Sequence, residues 1–378
     1  MNTHDNNQHK PIATRIIYSI LGAVVLFIIG TLLYRYEVLA ILTDSYSEPS
    51  ASQQESEAVQ QARRKLAEER EQWDTDVTAT PPAQPTSRRG YYAPPAVSDI
   101  PDNEFGESVK RGREIFVNTG TNAGEFVGND LACANCHLDS GRLEHSAPMW
   151  AAAVSYPAYR GKNERINTME DRVNGCFTYS MNAQHSEYGA APPPGHQVYK
   201  DLESYFYWMA DGLALKSSPP GQGYPTPPET DLGYDRKRGK QVYADNCAVC
   251  HATDGQGRKD LNGRYIFPPL WGPDSFNWGA GMHRVNTAAG FIQANMPLGK
   301  RFSLSDQEAW DVAAYVMSFP RPADPRLSQT EGVDETTDRF HQHMDYHGQT
   351  VRGMKLGEPL TEASWSAFME ENFGQQVR

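Results

Sequence analysis

The sequence predicts a mainly α-helical fold in which two small domains of one plan follow each other, preceded by a transmembrane helix and a flexible linker. Three observations predict it. Cys133-x-x-Cys136-His137 returns as Cys247-x-x-Cys250-His251. Each copy follows a helix-forming stretch with Arg-Gly and, four residues after the glycine, an aromatic: Gly112/Phe116 and Gly239/Tyr243. Each copy precedes a long loop and an aromatic-rich closing helix, with Tyr205 68 residues after His137 and Tyr315 64 residues after His251.

The N-terminus is read first. Lys10 and Arg15 precede Ile16 to Tyr34, an apolar run of 19 residues without charge. A bilayer-spanning helix needs about 20, whereas the apolar core of a cleaved signal peptide is about 7–15 long. Residues 1–44 are therefore expected to be a signal anchor. Its slight Lys/Arg bias places the N-terminus in the cytoplasm and the rest outside, on the periplasmic side of a bacterial inner membrane. Residues 45–98 read as a linker: polar at first, then Glu-, Gln- and Arg-rich from Glu55 to Trp73, then extended by Pro81, Pro82, Pro85, Pro94 and Pro95.

The first domain is expected over 99–228 and the second over 229–325, joined by the Pro-rich stretch Pro219 to Pro228. Ser108 to Phe116 and Tyr234 to Tyr243 are the opening helices. Tyr199 to Met209 and Ser303 to Met317 are the closing helices, the latter with a Ser305 cap and Glu308 at the capping-box position. Residues 326–378 form a C-terminal extension whose His341, His343 and His347 read as surface histidines.

C-x-x-C-H is the pattern of c-type haem attachment, in which two thiols bond the porphyrin and the histidine ligates iron. Cys133, Cys136 and His137 would hold one haem c, and Cys247, Cys250 and His251 a second. The competing readings, a redox dithiol or half a zinc site, lack a thioredoxin-like βαβ context. The whole arrangement resembles the class I cytochrome c plan, where first and last helices cross and haem fills the space between. A net charge of −12 argues against nucleic acid as a partner and requires a local basic pocket for any anionic substrate.

Each iron also has a sixth position, in the loop before the closing helix. In the second unit the candidate is Met296, 45 residues after His251 and followed by proline, with Met282 and His283 as alternatives and Lys300 nearby. Thioether ligation raises the potential. In the first unit Cys176, Met181 and His185 are candidates. Cys176, 39 residues after His137, is the thiol left over from the two motifs and stands where the repeat places Met296. A thiolate there suits sulfur chemistry better than simple electron carriage. Arg160, Lys162, Arg165 and Arg172 put four cations in 13 residues, readable as a solvated face or as an anion pocket, for which guanidinium forks are well shaped.

Tyr156-Pro-Ala-Tyr-Arg160-Gly, Arg165-Ile-Asn, Asp171-Arg-Val-Asn-Gly-Cys-Phe-Thr-Tyr-Ser-Met-Asn182, Asn295-Met296-Pro-Leu-Gly and the Leu304 to Tyr315 helix together resemble the dihaem thiosulfate dehydrogenases (tetrathionate-forming). The resemblance implies an active-site haem ligated by His137 and Cys176 and an electron-exit haem ligated by His251 and Met296. It implies coupling of two thiosulfates to tetrathionate, or the reverse in some members, with Ser180 and the nearby basic residues touching substrate. Electrons would leave to a cytochrome-type or membrane acceptor. Two departures stand out: this sequence predicts an anchor where the family is often soluble, and Asn295 stands where some members place a lysine ligand. The other readings of the same motifs are a membrane-tethered dihaem carrier without substrate chemistry and a dihaem peroxidase-like enzyme, which would not need Cys176.

Overall fold

The computed structural model of the chain describes residues 24–29, 31, 90–161, 163–342 and 346–375. The chain divides into two compact segments, Met1–Pro81 and Pro82–Arg378. In the first, Val24–Ile29 and Thr31 are helical and exposed, and the Thr31 hydroxyl donates to the Phe27 and Ile28 carbonyls, both at 2.9 Å. Among the described residues no helix is long and apolar enough to cross a membrane. The rest of the predicted span Ile16–Tyr34 and the linker up to Arg89 lie outside the described residues, as do Lys162 and His343.

Within Pro82–Arg378 two helix pairs cross by the same device. Helix α1 (Glu104–Val117) starts at Asn103, whose side chain accepts from the Gly106 amide. Later helices are α2 (Met149–Ser155), α3 (Met169–Gly175) and α4 (Gln197–Met209). Helix α4 lies across α1 at Gly112, where a Cβ would stand 1.9 Å from the Asp201 carbonyl oxygen. Only glycine permits that approach. Arg111 locks the crossing with a two-pronged bond to Asp201, at 3.0 and 2.9 Å. The second pair is α5 (Arg236–Asn246) and, after α6 (Val285–Asn295), α7 (Asp306–Met317). A Cβ on Gly239 would stand 1.9 Å from the Asp311 carbonyl oxygen, and Arg238 grips Asp311 at 2.7 and 2.8 Å. The Arg-Gly-x-x-x-aromatic repeat is thus a helix-crossing signature, with Phe116 and Tyr243 both buried beneath it.

Strands are short. β1 (Ala158–Arg160) and β2 (Arg165–Asn167) form an antiparallel hairpin with Tyr159 opposite Ile166 and Arg160 opposite Arg165. β3 (Arg258–Lys259) pairs with β4 (Tyr265–Phe267), and β5 (Thr350–Val351) with β6 (Met354–Lys355). One apolar core gathers around Val109, Phe116, Trp150 and Tyr205, another around Tyr243, Trp271, Ala313 and Tyr315. A fully buried large side chain of this kind stabilises by about 1.5–3 kcal/mol.

Two segments pack more tightly than their composition suggests. Tyr92, near the end of the stretch read as linker, is buried and donates to the Met209 and Asp211 carbonyls. The C-terminal extension, with α8 (Val333–Phe340) and α9 (Glu362–Phe373), covers the second core. There Trp365, Phe368 and Met369 are buried, and Phe373 stacks on the Trp271–Phe319 pair. The expectation of surface histidines fails here. His341 and His347 are 1% and 3% exposed, with their rings stacked at 3.9 Å. His341 Nε2 lies 3.0 Å from Asp324 Oδ2, and His347 Nδ1 lies 2.7 Å from the Thr337 hydroxyl. Buried imidazoles require such partners, and Asp324 and Thr337 supply them from distant points in the sequence.

Candidate functional site

Both motif histidines are fixed in the same way. His137 Nδ1 is 2.8 Å from the Ala147 carbonyl oxygen, and His251 Nδ1 is 2.9 Å from that of Pro268. A carbonyl only accepts, so Nδ1 carries the proton and the Nε2 lone pair is left for a metal. Burial pulls His137 down to about 4 and also lowers His251, which keeps both rings neutral, the form that ligates. The motif thiols move the other way: burial pushes Cys133 and Cys247 up to about 12 and Cys136 to about 11. A redox dithiol works through a lowered thiol pKa, so these environments argue against that alternative.

In the second unit, Cys247, Cys250, His251 and Met296 line one cavity of about 400 Å³ whose walls include Phe276, Ile292, Val312 and Val316. Two thiols, an imidazole and a thioether around an apolar space fit a covalently held haem. Met282 lines the same cavity. His283 instead packs edge-on to Trp278 and His341, in the buried histidine cluster. Lys300 also reaches the lining. Cys136, Leu131 and Ala134 of the first unit close part of this cavity, so the two attachment motifs approach each other.

In the first unit, Thr168 caps α3 through a capping box with Asp171. Helix α3 then passes directly into a single π-helical turn, Cys176–Ser180, with the Met181 amide donating to the Cys176 carbonyl at 3.0 Å. Such turns widen the helix and concentrate at functional sites. The Arg172 guanidinium donates to Cys176 Sγ at 3.2 Å. Arg172 is solvent-accessible yet surrounded by protein atoms, and the Cys176 sulfur is the main cause raising its pKa, with Tyr156 and Tyr224 adding to it. The Cys176 sulfur lies within electrostatic reach of Cys133 and Cys136 of the first attachment motif. Of the alternatives, Met181 is buried in the first core and His185 is exposed.

The predicted cations divide. Arg172 is on the sulfur. Arg165 lies within electrostatic reach of Asp171 and Tyr179, on either side of Cys176. Arg160 stands opposite Arg165 on the hairpin, exposed. Lys162 is outside the described residues. The Ser180 carbonyl accepts from Asn129 Nδ2 at 2.7 Å. Tyr156 and Tyr224, which lie within electrostatic reach of the Arg172 guanidinium, have no role legible in the sequence. Tyr156 opens the Tyr-Pro-Ala-Tyr-Arg-Gly stretch, whereas Tyr224 belongs to the Pro-rich junction and carries no local signal.

Known proteins match this arrangement. Residues 123–215 match the family described as SoxA/TsdA, cytochrome c domain, and residues 236–320 match Cytochrome c. The thiosulfate dehydrogenase of Stutzerimonas stutzeri (strain A1501) is 50% identical over 270 residues, 71% of this chain and 85% of that protein. The chain belongs to the thiosulfate dehydrogenase family. The Thiomonas intermedia (strain K12) thiosulfate dehydrogenase is 49% identical over 268 residues, 71% of this chain and 82% of that protein. The solved structure of thiosulfate dehydrogenase (TsdBA) from Marichromatium purpuratum, in its as-isolated form, superposes with a TM-score of 0.69 at 47% identity. That match covers 72% of this chain and 58% of the solved one. As in other thiosulfate dehydrogenases, the two cytochrome c domains mean two covalently bound haem c groups.

Proposed function

We propose that the chain joins two thiosulfate ions into tetrathionate at Cys176 and sends two electrons out through the second haem site. The observation that carries this reading is the Arg172–Cys176 hydrogen bond at 3.2 Å, on a π-helical turn beside the first attachment motif. Two dianions repel each other, so their sulfurs meet only where fixed positive charge stands at the point of contact. Arg172 provides that charge at the sulfur, and Arg165 and Arg160 line the approach, with Lys162 between them in sequence. Ser180, on the same turn, is assigned to substrate contact.

Cys176 is the nucleophilic sulfur. Its thiolate forms an S–S bond with the terminal sulfur of one thiosulfate while two electrons leave, and a second thiosulfate then displaces the cysteine thiolate, giving tetrathionate. When bound, the two haems supply one-electron storage each. His137 and Cys176 would hold the first haem and His251 and Met296 the second, where the thioether would raise the potential. Reversing the steps reduces tetrathionate. The apolar run Ile16–Tyr34 supports an anchor that holds the haem domains on the periplasmic side of the inner membrane, where a cytochrome-type or membrane acceptor would take the electrons. The test is an assay of the purified holoprotein with thiosulfate and an artificial acceptor, beside tetrathionate reduction. Activity in either direction supports the enzyme. Electron relay with neither sulfur reaction would favour the carrier.

A further inference from the structure

Past its proximal histidine, each haem unit sends a loop into the other unit. In the first, the carbonyl holding His137 belongs to Ala147. Just before it, the His145 carbonyl accepts from Asn295 Nδ2 at 2.9 Å, and Glu144 pairs with Arg301 at 2.7 Å. Both partners flank Met296. Arg301 also donates to the Ala294 carbonyl at 2.9 Å and to the Glu144 carbonyl at 2.8 Å. Asn295 is fully buried, and the Glu144 and Arg301 side chains are 13% and 16% exposed.

The second unit does the same in the opposite direction. The carbonyl holding His251 belongs to Pro268. Further along that strand of chain, Asn277 is fully buried. Its Nδ2 donates to the Thr178 carbonyl at 3.0 Å and its backbone amide to the Tyr179 carbonyl at 3.1 Å. Asn129 Nδ2 bridges the Ser180 and Ser275 carbonyls at 2.7 and 3.2 Å. The last carbonyls of a helix have no partner within it. Here the carbonyls of three successive residues of the Cys176 turn are satisfied by these two asparagines, one of them from the other unit.

We infer that the two units position each other's distal ligands: Glu144 of the first unit holds Met296, and Asn277 of the second holds Cys176. This rests on the reading of Cys176 and Met296 as axial ligands. Asn277 and Glu144 are positioning residues that touch neither iron nor substrate. The arrangement has a crossed signature. A lesion in one domain disturbs the haem of the other, because the strap that orients one proximal histidine ends on the opposite distal segment. A defect confined to its own domain's packing gives no such pattern.

The experiment uses the full-length oxidised holoprotein and reads two optical bands, thiolate-to-ferric iron in the near infrared and thioether-to-ferric iron in the far red. Asn277→Asp keeps an acceptor for the Gly279 amide, which Asn277 Oδ1 now accepts at 2.9 Å, but removes the Nδ2 donor. It is expected to lose most of the thiolate band and keep the thioether band. Glu144→Ala is expected to do the reverse. Met181, whose amide closes the π turn, should exchange its amide hydrogen faster in Asn277→Asp only. Should Asn277→Asp not yield folded holoprotein, Asn277→Ser is read in the same way. Cys176→Gly and Met296→Leu identify the bands. If a band survives its own ligand variant, the ligand reading fails and takes the inference with it. If both controls respond but each bracing variant leaves the opposite haem unchanged, or lowers both bands alike, the inference alone is overturned.

Discussion

Arg172 donates to Cys176 Sγ across 3.2 Å, four residues apart on the run where α3 becomes the π turn. Residues at that separation share a helix face, so the backbone delivers the cation to the sulfur without a distant loop. The Thr168–Asp171 capping box fixes the start of the same run, and the Asn277 and Asn129 side chains fix its end.

The first prediction concerns this pair. A hydrogen bond to a charged group contributes about 1.5–3 kcal/mol, which corresponds to roughly a ten- to hundredfold change in rate. Arg172→Gln should lower kcat/KM for thiosulfate by that factor while haem content and the Met296-dependent far-red band stay unchanged. Steady-state kinetics and optical spectra of the variant are the check. Undiminished turnover would remove Arg172 from the site.

The second concerns the helix crossings. A Cβ on Gly239 would meet the Asp311 carbonyl oxygen at 1.9 Å, whereas one on Gly120 would meet nothing within 4 Å. Overpacking of this kind costs about 1–3 kcal/mol or more. Gly239→Ala should therefore lower the thermal unfolding midpoint by several degrees, and Gly120→Ala should leave it unchanged or slightly higher. Equal midpoints for the two variants would show that the crossing tolerates a methyl group.

The third is a pH dependence. Burial, reinforced by His341 and Arg326 and opposed by Asp324, pulls His347 down from its ordinary 6.5 to about 3. Between those values the unfolded chain holds a proton that the folded chain excludes. Stability from this group is complete above about 6.5 and is lost as pH falls towards about 3, with a slope of at most about 1.4 kcal/mol per pH unit. Denaturant melts of wild type and His347→Asn over that range should show a shallower acid loss in the variant. Parallel curves would mean that His347 does not titrate in this window.

What could be read from the chain divides along physical lines. The attachment motifs, the Ser305–Glu308 cap and the paired Arg-Gly-x-x-x-aromatic stretches are local, because covalent attachment and helix crossing each need particular residues at short spacing. The position of Cys176 follows from comparing the two units. The π turn has no such code, since its widened winding depends on carbonyl partners supplied by Asn277, which lies 101 residues beyond Cys176. The buried histidines carry no local code for the same reason. His341 stands in a polar tail, and its burial depends on Asp324 and on the His283 and His347 rings, which only folding brings to it. Tyr224 carries no local signal in the Pro-rich junction, and only folding brings it within electrostatic reach of Arg172.

The role of Cys176 is decided by comparing thiosulfate-dependent reduction of an artificial acceptor by wild type and by Cys176→Gly, both carrying two haems. The variant should lose turnover and its near-infrared thiolate band together, while chemically reduced variant still passes electrons on through the second haem site. Thiosulfate oxidation at the wild-type rate in Cys176→Gly would contradict it.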